Sequence, residues 1–369
     1  MSVKSIPSIE ELKSIVKPKV RPLIWDSEKK ILKILDQRLL PFREYYFEAS
    51  NVEDVFKAIK EMYVRGAPAI GICAAYGMVL AAYEGFRKIS DIEEFLKYLE
   101  KCANYLISAR PTAVNLEWAV KRMLNYAKKL IHDEGIKKIE ELLRELENEA
   151  NRIHEEEFEI ELKIGVYGFE KLKNCESVMT QCNAGGLAGA GIGTALAPVR
   201  IAKYLGHTIK VYVPETRPWL QGARLTVYEL HVEGIPYVLI SDTAVGYVMY
   251  RGLVDSVIVG ADRILKDGHV INKIGTFKQA VIAHELGIPF YVAAPKSTFD
   301  LERRIDEVII EERDPDEVRK VRDVLITLPD APVYNPVFDI TPPKYVTAIV
   351  TEYGVIYPPY EKNILEILR

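Results

Sequence analysis

The chain has 369 residues, 49% of them hydrophobic and 28% charged, a composition that fits a folded globular protein and excludes a disordered tail or a short adaptor. At roughly 150 residues per domain, this length predicts about two domains. Lys and Arg number 49 against 53 Asp and Glu, a formal charge of −4, so no global field draws in nucleic acid or anionic lipid and any anionic ligand must be held by a local cluster.

Four cysteines, Cys73, Cys102, Cys175 and Cys182, form no CxxC pair and no metal-ligand spacing with His, which argues against a zinc site or a disulfide framework and for a reducing, cytoplasmic setting. The first 30 residues mix charge with proline and lack a signal peptide's apolar stretch, so no export is expected. Only four Gln accompany many Glu, Lys, Ile and Tyr, a thermophile bias.

After a short irregular start the first half reads as helical. Ser50 and Glu53 form a capping-box pattern, and Val52, Val55, Phe56, Ile59, Met62 and Tyr63 follow at helical spacing, predicting a helix that stops at Arg65-Gly66. Pro68 suits the first turn of the next helix. That segment, APAIGICAAYGMVLAAY, is 17 residues long, at the lower limit of a membrane span; its all-round apolarity reads instead as the buried centre of a helical bundle. Further helical periods cover 92–107, 114–131 and 137–160, and the charge run at 140–163 is expected to be a solvated face leading to a boundary near Gly165. The expected division is a mainly helical domain at 1–164 and a Rossmann-like catalytic domain at 165–369.

Beyond Gly165 the rhythm changes to short β-branched runs at Ser177–Thr180, Ile209–Val213, Tyr237–Ile240, Val257–Val259 and Phe290–Ala293, separated by helical stretches. Such alternation predicts βαβ units and a parallel sheet, an α/β fold whose ligands bind beyond the carboxyl ends of the strands. The residues there are Cys182-Asn183-Ala184-Gly185-Gly186, Glu215-Thr216-Arg217, Ser241-Asp242, Ala261-Asp262-Arg263 and Pro295-Lys296-Ser297, all in position to converge on one crevice.

TQCNAGGLAGAGIGTAL fits neither a Walker loop nor a GxGxxG fingerprint; its glycines either bring backbone amides to an anion or permit close helix packing. Cys182, at the mouth of this loop, reads either as a buried structural thiol or as one activated by a following helix N-terminus. Asp262 follows the apolar strand SVIVGAD and reads either as a desolvated general acid and base or as a helix N-cap. Asp242 in SDTAVG has the look of a cap or a supporting group. Arg65 in RGAPA and Arg110 in ARPTA stand at helix breaks, where an arginine is electrostatically misplaced unless an anion such as phosphate joins it; the other reading of each is a hydrated surface residue or an interdomain ion pair. Lys273 follows a tight turn at Asp267-Gly268 and precedes a helix, so it too could point a cation at the crevice, although an isolated lysine would ordinarily face solvent.

Together the strings RPLIWD, LDQRLLP, MYVRGAPAIGICAAYG, ARPTAVNLEWA, TQCNAGGLAGAGIGTAL, ETRPWLQGARLTVYEL, SDTAVGYVM, VIVGADRILKDGHVINKIGTFKQAV, PFYVAAPKSTFD and NPVFDITPPKYVTAIVTEYGVI resemble the methylthioribose-1-phosphate isomerase family. That family shares a superfamily with the alpha, beta and delta regulatory subunits of the exchange factor for initiation factor 2. The resemblance implies a helical N-terminal domain against a Rossmann-like one, a homodimer, no cofactor, and an aldose-ketose isomerase of methionine salvage acting on a small sugar phosphate. It implies that Cys182 and Asp262 are catalytic and that Arg65, Gly66, Ala67, Arg110, Gln221, Asn272 and Lys273 contact substrate. Gln221 would otherwise read as an exposed helix residue. Gln181 stands where bacterial members commonly have His, and the usual aromatic is absent at Ile192. Two other readings are a ribose-1,5-bisphosphate isomerase, against which RPLIWD and LDQRLLP argue, and a noncatalytic regulatory subunit, which typically lacks the cysteine and aspartate together.

Overall fold

The computed structural model describes residues 7–111 and 113–368. Thr112 of the ARPTA break and the first six residues of the N-terminal segment lie outside the described residues. The helices are α1 (Ile9–Ile15), α2 (Val52–Lys60), α3 (Ala67–Phe86), α4 (Ile92–Ile107), α5 (Val114–His132), α6 (Ile139–Leu172), α7 (Ala197–Tyr204), α8 (Val227–Glu233), α9 (Val245–Tyr250), α10 (Thr276–Glu285), α11 (Asp316–Arg319) and α12 (Tyr360–Leu368). The strands are β1 (Leu23–Asp26), β2 (Ile31–Leu35), β3 (Tyr46–Ala49), β4 (Ser177–Met179), β5 (Lys210–Pro214), β6 (Tyr237–Ile240), β7 (Ser256–Val259), β8 (Arg263–Leu265), β9 (Val270–Lys273), β10 (Phe290–Ala293), β11 (Phe299–Asp300), β12 (Lys320–Val321), β13 (Val324–Leu325), β14 (Phe338–Thr341), β15 (Ala348–Thr351) and β16 (Gly354–Ile356). Two compact units result: an N-terminal unit of Val20–Glu159 with Gly186–Gly191, and a C-terminal unit of Met1–Lys19, Ile160–Gly185 and Ile192–Arg369.

The N-terminal unit is a helical bundle around α3. Because α3 is apolar on every side, it has no face to give to water, and α2, α4 and α5 pack around it. Gly71 lets α5 approach closely, since a Cβ there would lie 3.1 Å from the Asn115 carbonyl oxygen. The start of this unit is not irregular, as the sequence suggested, but an antiparallel sheet β1-β2-β3. The cap of α2 is Asn51 rather than Ser50: its side chain accepts the Asp54 N–H at 2.9 Å, while the Ser50 N–H donates to Asp54 Oδ2 at 2.9 Å. The helix then ends at Lys60, short of the expected Arg65-Gly66, in a turn with Met62 at φ +59°.

Gly165 does not end α6. A Cβ at Gly165 would lie 2.7 Å from Ile201 and one at Gly168 only 2.2 Å from Pro198, so both glycines serve close packing against α7. Nor is the charge run simply solvated. Glu147 accepts from Trp25, Lys30 and Tyr83, Glu149 pairs with Arg122 and Arg152, and Glu161 is fully buried.

The C-terminal unit is built on a seven-stranded sheet, β16-β15-β10-β7-β4-β5-β6, parallel throughout except for the edge strand β16. By chain position, the parallel strands run sixth, fifth, fourth, first, second, third, so the order reverses between β4 and β7. In open sheets of this kind the crevice beyond the carboxyl ends at that reversal is where ligands bind. A second sheet, β11-β8-β9-β14, follows directly from the end of β7.

Candidate active site

Cys182 lies just beyond β4 with φ +60°, a left-handed conformation that costs a non-glycine residue on the order of 1–3 kcal/mol. Its peptide is clasped from both sides. The Cys182 N–H donates to Thr216 Oγ1 at 3.1 Å, and its carbonyl accepts from Thr226 Oγ1 at 2.6 Å. Both threonines are completely buried. Thr226 closes a π-helical turn, Gly222–Thr226, which presses so close to β5 that a Cβ at Gly222 would lie 1.8 Å from the Pro214 carbonyl oxygen.

Below the clasp, Asn183 donates to Thr226 Oγ1 at 3.2 Å and to Glu229 Oε1 at 2.8 Å. The other Glu229 oxygen receives Arg200, which also donates to the Ile192 carbonyl. Glu161 accepts the Ile192 and Gly193 N–H groups at 2.7 Å each. Those two loop amides are thus held by a carboxylate of the protein itself. The helix expected directly after the glycine loop begins only at Ala197, so no helix N-terminus stands at Cys182, which is half-buried.

Asp262 follows β7, the neighbour of β4, in the register Met179↔Val257. Past the strand ends a Cβ at Gly260 would come within 2.8 Å of the Ala184 Cβ, so the two departing segments stay in contact. Cys182 and Asp262 each lie two residues from that contact, at the reversal of strand order. Asp262 caps no helix: its N–H donates to the Ile271 carbonyl at 2.9 Å and the chain continues as β8. Its side chain is exposed, correcting the expectation that the apolar strand keeps water away from it.

Asn272 and Lys273 end β9 and are 6% and 7% exposed; the Lys273 ammonium lies 4.3 Å from the centre of the Phe338 ring, not in solvent. Gln181 ties the cysteine segment to this strand end by donating to the Ile274 carbonyl at 2.8 Å. Gln221, which by its own segment would read as exposed, is 5% exposed, and among the described residues its Oε1 has no hydrogen-bond partner. Asp339, opposite Asn272 in β14, accepts from the Gly275 and Phe277 N–H groups at 2.7 and 3.1 Å, and burial pushes its carboxyl up to about 6. Asp242 is not a helix cap; it binds the Thr216 and Arg217 amides at the end of β5.

The remaining expected site residues belong to the N-terminal unit. Arg65, half-buried between α2 and α3, donates from Nε to Gln37 Oε1 at 3.3 Å. Gly66 caps α3 at φ +93°, where a Cβ would lie 2.5 Å from Ala188 backbone atoms. Ala67 is exposed at the first position of α3, and Arg110 is half-buried between α4 and α5. Among the described residues no group of three His, Cys, Asp or Glu could hold a metal ion. Thr216 is legible in the sequence as a strand-end residue but its bond to Cys182 is not, and Thr226, Arg200 and Glu229 give no sign at all; an acidic and a basic residue inside helical runs carry no signal of burial.

Known proteins similar to this chain in sequence and fold place it in a family. The model of the initiation factor 2 subunit family matches residues 63–358. A methylthioribose-1-phosphate isomerase of Carboxydothermus hydrogenoformans is 50% identical, over 90% of this chain and 95% of its own. A Sulfolobus acidocaldarius protein provisionally given the same name is 58% identical, over 98% and 97%. The crystal structure of 5-methylthioribose 1-phosphate isomerase from Pyrococcus horikoshii superposes with a TM-score of 0.89 at 41% identity, covering 100% of this chain and 99% of that one.

Proposed function

From the premise that this chain belongs to the initiation factor 2 subunit family, we propose that it converts 5-methylthioribose 1-phosphate into 5-methylthioribulose 1-phosphate, an aldose-ketose isomerisation of methionine salvage. The observation that carries the reading is the meeting of the Cys182 and Asp262 segments at the strand-order reversal of the seven-stranded, mainly parallel sheet.

The phosphate on the anomeric oxygen prevents ring opening by loss of a hydroxyl proton. Asp262 donates a proton to the ring oxygen as the C1–O bond breaks and takes one from the C2 hydroxyl as the ketone forms. Hydrogen moves from C2 to C1, so C2 is oxidised and C1 reduced within one molecule, with no external electron acceptor in the balance. Cys182 assists at C1–C2, carrying a proton through an enediol-type species or stabilising charge during a hydride shift. Arg65, Gly66, Ala67, Arg110, Gln221, Asn272 and Lys273 bind the sugar phosphate, the cations meeting phosphate by charge-assisted bonds. A homodimer in a reducing cytoplasm completes the proposal; the free cysteines agree with that compartment.

The test is turnover of 5-methylthioribose 1-phosphate beside ribose 1,5-bisphosphate. Asp262→Asn is expected to lose roughly 10² to 10⁴ in kcat; a loss below about twofold rejects the acid-base role. Deuterium from solvent at C1 of the product excludes a pure hydride route. Absence of turnover on both sugars, with capture of an initiation factor, would favour a noncatalytic subunit.

A further inference from the structure

The chemistry just described gives Asp242 no part, yet its carboxylate organises the loop on which Cys182 rests. One oxygen accepts the Thr216 N–H at 2.8 Å and the other the Arg217 N–H at 2.7 Å. Lys278 of α10 donates to the Asp242 carbonyl at 2.6 Å, fixing the residue from the opposite side. Thr216, completely buried at φ +63°, donates its hydroxyl proton to the Pro214 carbonyl and accepts the Cys182 N–H, each at 3.1 Å. A continuous hydrogen-bonded path therefore runs from the end of β6, through the end of β5, to the cysteine beyond β4. It joins two clamped residues, Thr216 and Cys182, both in the left-handed region that non-glycine residues keep only when their surroundings over-determine it.

Resting on the isomerase reading, we infer that Asp242 is a positioning residue for Cys182, acting through the Thr216 hydroxyl to set the direction in which the thiol meets substrate. A purely structural role is the rival. The Arg217 guanidinium donates to the carbonyls of Pro218, Glu317, Val318 and Lys320, so Asp242 also anchors the segment at 317–320. The two roles separate at Thr216, whose hydroxyl bonds to Cys182 and to the Pro214 carbonyl rather than to the segment at 317–320.

The experiment compares Asp242→Asn, Thr216→Val, Thr216→Ser and the double variant Asp242→Asn/Thr216→Val. Misplacement of a reacting group by about 1 Å is worth up to about 100-fold, so Asp242→Asn and Thr216→Val are each expected to lower kcat roughly 10- to 100-fold while KM stays within about threefold. Thr216→Ser, which keeps the hydroxyl, restores kcat. The double variant is no slower than the slower single, because both act on one path. Losses that multiply, or Thr216→Ser as slow as Thr216→Val, overturn the proposal. If Asp242→Asn does not fold, the Val and Ser variants decide alone. Failure of the isomerase reading shows separately, as a wild type without turnover. Then the iodoacetamide alkylation rate of Cys182, followed by peptide mass, must change in Thr216→Val and not in Thr216→Ser; equal rates in all three proteins overturn the inference.

Discussion

Replacing Arg200 by Met would test the ionic scaffold under the cysteine loop. Arg200 is 1% exposed and stands between Glu229, 0% exposed at 2.5 Å, and Glu233, 4% exposed at 3.9 Å. Removing the cation leaves two carboxylates in a medium that solvates them poorly. Breaking one buried pair costs about 3–5 kcal/mol. The second contact is longer and adds less, because Glu233 also receives the Lys19 N–H at 3.0 Å. Against a usual domain stability of about 5–15 kcal/mol, the C-terminal unit would lose a large share.

In a domain of about 150–250 residues, 1 kcal/mol moves Tm by roughly 2–4 °C, so Arg200→Met should lower the transition by about 6–20 °C. Calorimetry is the suitable assay, since a chain of two units can unfold in separate transitions and only one should move. A fall of less than about 2 °C would refute the reasoning, because it would mean that water reaches Glu229 despite its burial.

Gly185→Ala should perturb the same place, since the new methyl would lie 2.2 Å from Glu229 Oε2 and 2.7 Å from its carboxyl carbon; a loss of about 1–3 kcal/mol is expected in urea titration, and a wild-type midpoint would show that the loop yields. Asp339 gives a pH signature. Burial raises its carboxyl from 3.8 to about 6, so the native state holds a proton that the unfolded chain releases; this stabilisation is complete below 3.8 and is lost as pH rises through about 6. Relative to Asp339→Asn, the wild type should lose roughly 3 kcal/mol between about pH 4 and pH 7, whereas parallel stability curves would contradict the assignment. The N-terminal unit has the opposite linkage at His154, which burial lowers from 6.5 to about 4: its contribution is present above 6.5 and lost as pH falls through about 4. An imidazole proton resonance that titrates near 6.5 would exclude this.

Much of the C-terminal sheet was readable because its strands are short β-branched runs that nothing interrupts. Tyr237–Ile240 and Phe290–Ala293 have the expected bounds, and the polar residues beyond the strands do line one edge. What failed to show were features set by partners distant in sequence. Gly165 and Gly168 look like helix breakers, yet α7 needs their missing side chains. Glu161 sits among charged neighbours and is buried because two loop amides require an acceptor. Thr216 and Cys182 are 34 residues apart, and no local pattern announces that one holds the other. Asn51 and Ser50 are both capping residues, and only the backbone geometry chooses between them. Polarity alone would put Lys273 and Gln221 outside; the fold buries both.

The buried triad around Arg200 raises a question of purpose, since apolar residues of similar volume often replace such groups at no loss, or with a gain of about 1–4 kcal/mol. The pattern of hydrogen bonds gives an answer specific to this loop. Glu229 orients Asn183, the residue next to the cysteine, and Arg200 holds the Ile192 carbonyl, whose own N–H is held by Glu161. An apolar replacement could fill the space but could not fix Asn183 or the direction of the 192–193 peptides. The triple variant Arg200→Met/Glu229→Leu/Glu233→Leu is therefore expected to keep its calorimetric Tm near or above that of Arg200→Met alone, while kcat stays depressed at least roughly tenfold, the effect of a loop placed loosely. Stability and turnover would then part company. Should turnover recover along with Tm, the triad would be mere packing, and the placement of Cys182 would rest on its two threonines alone.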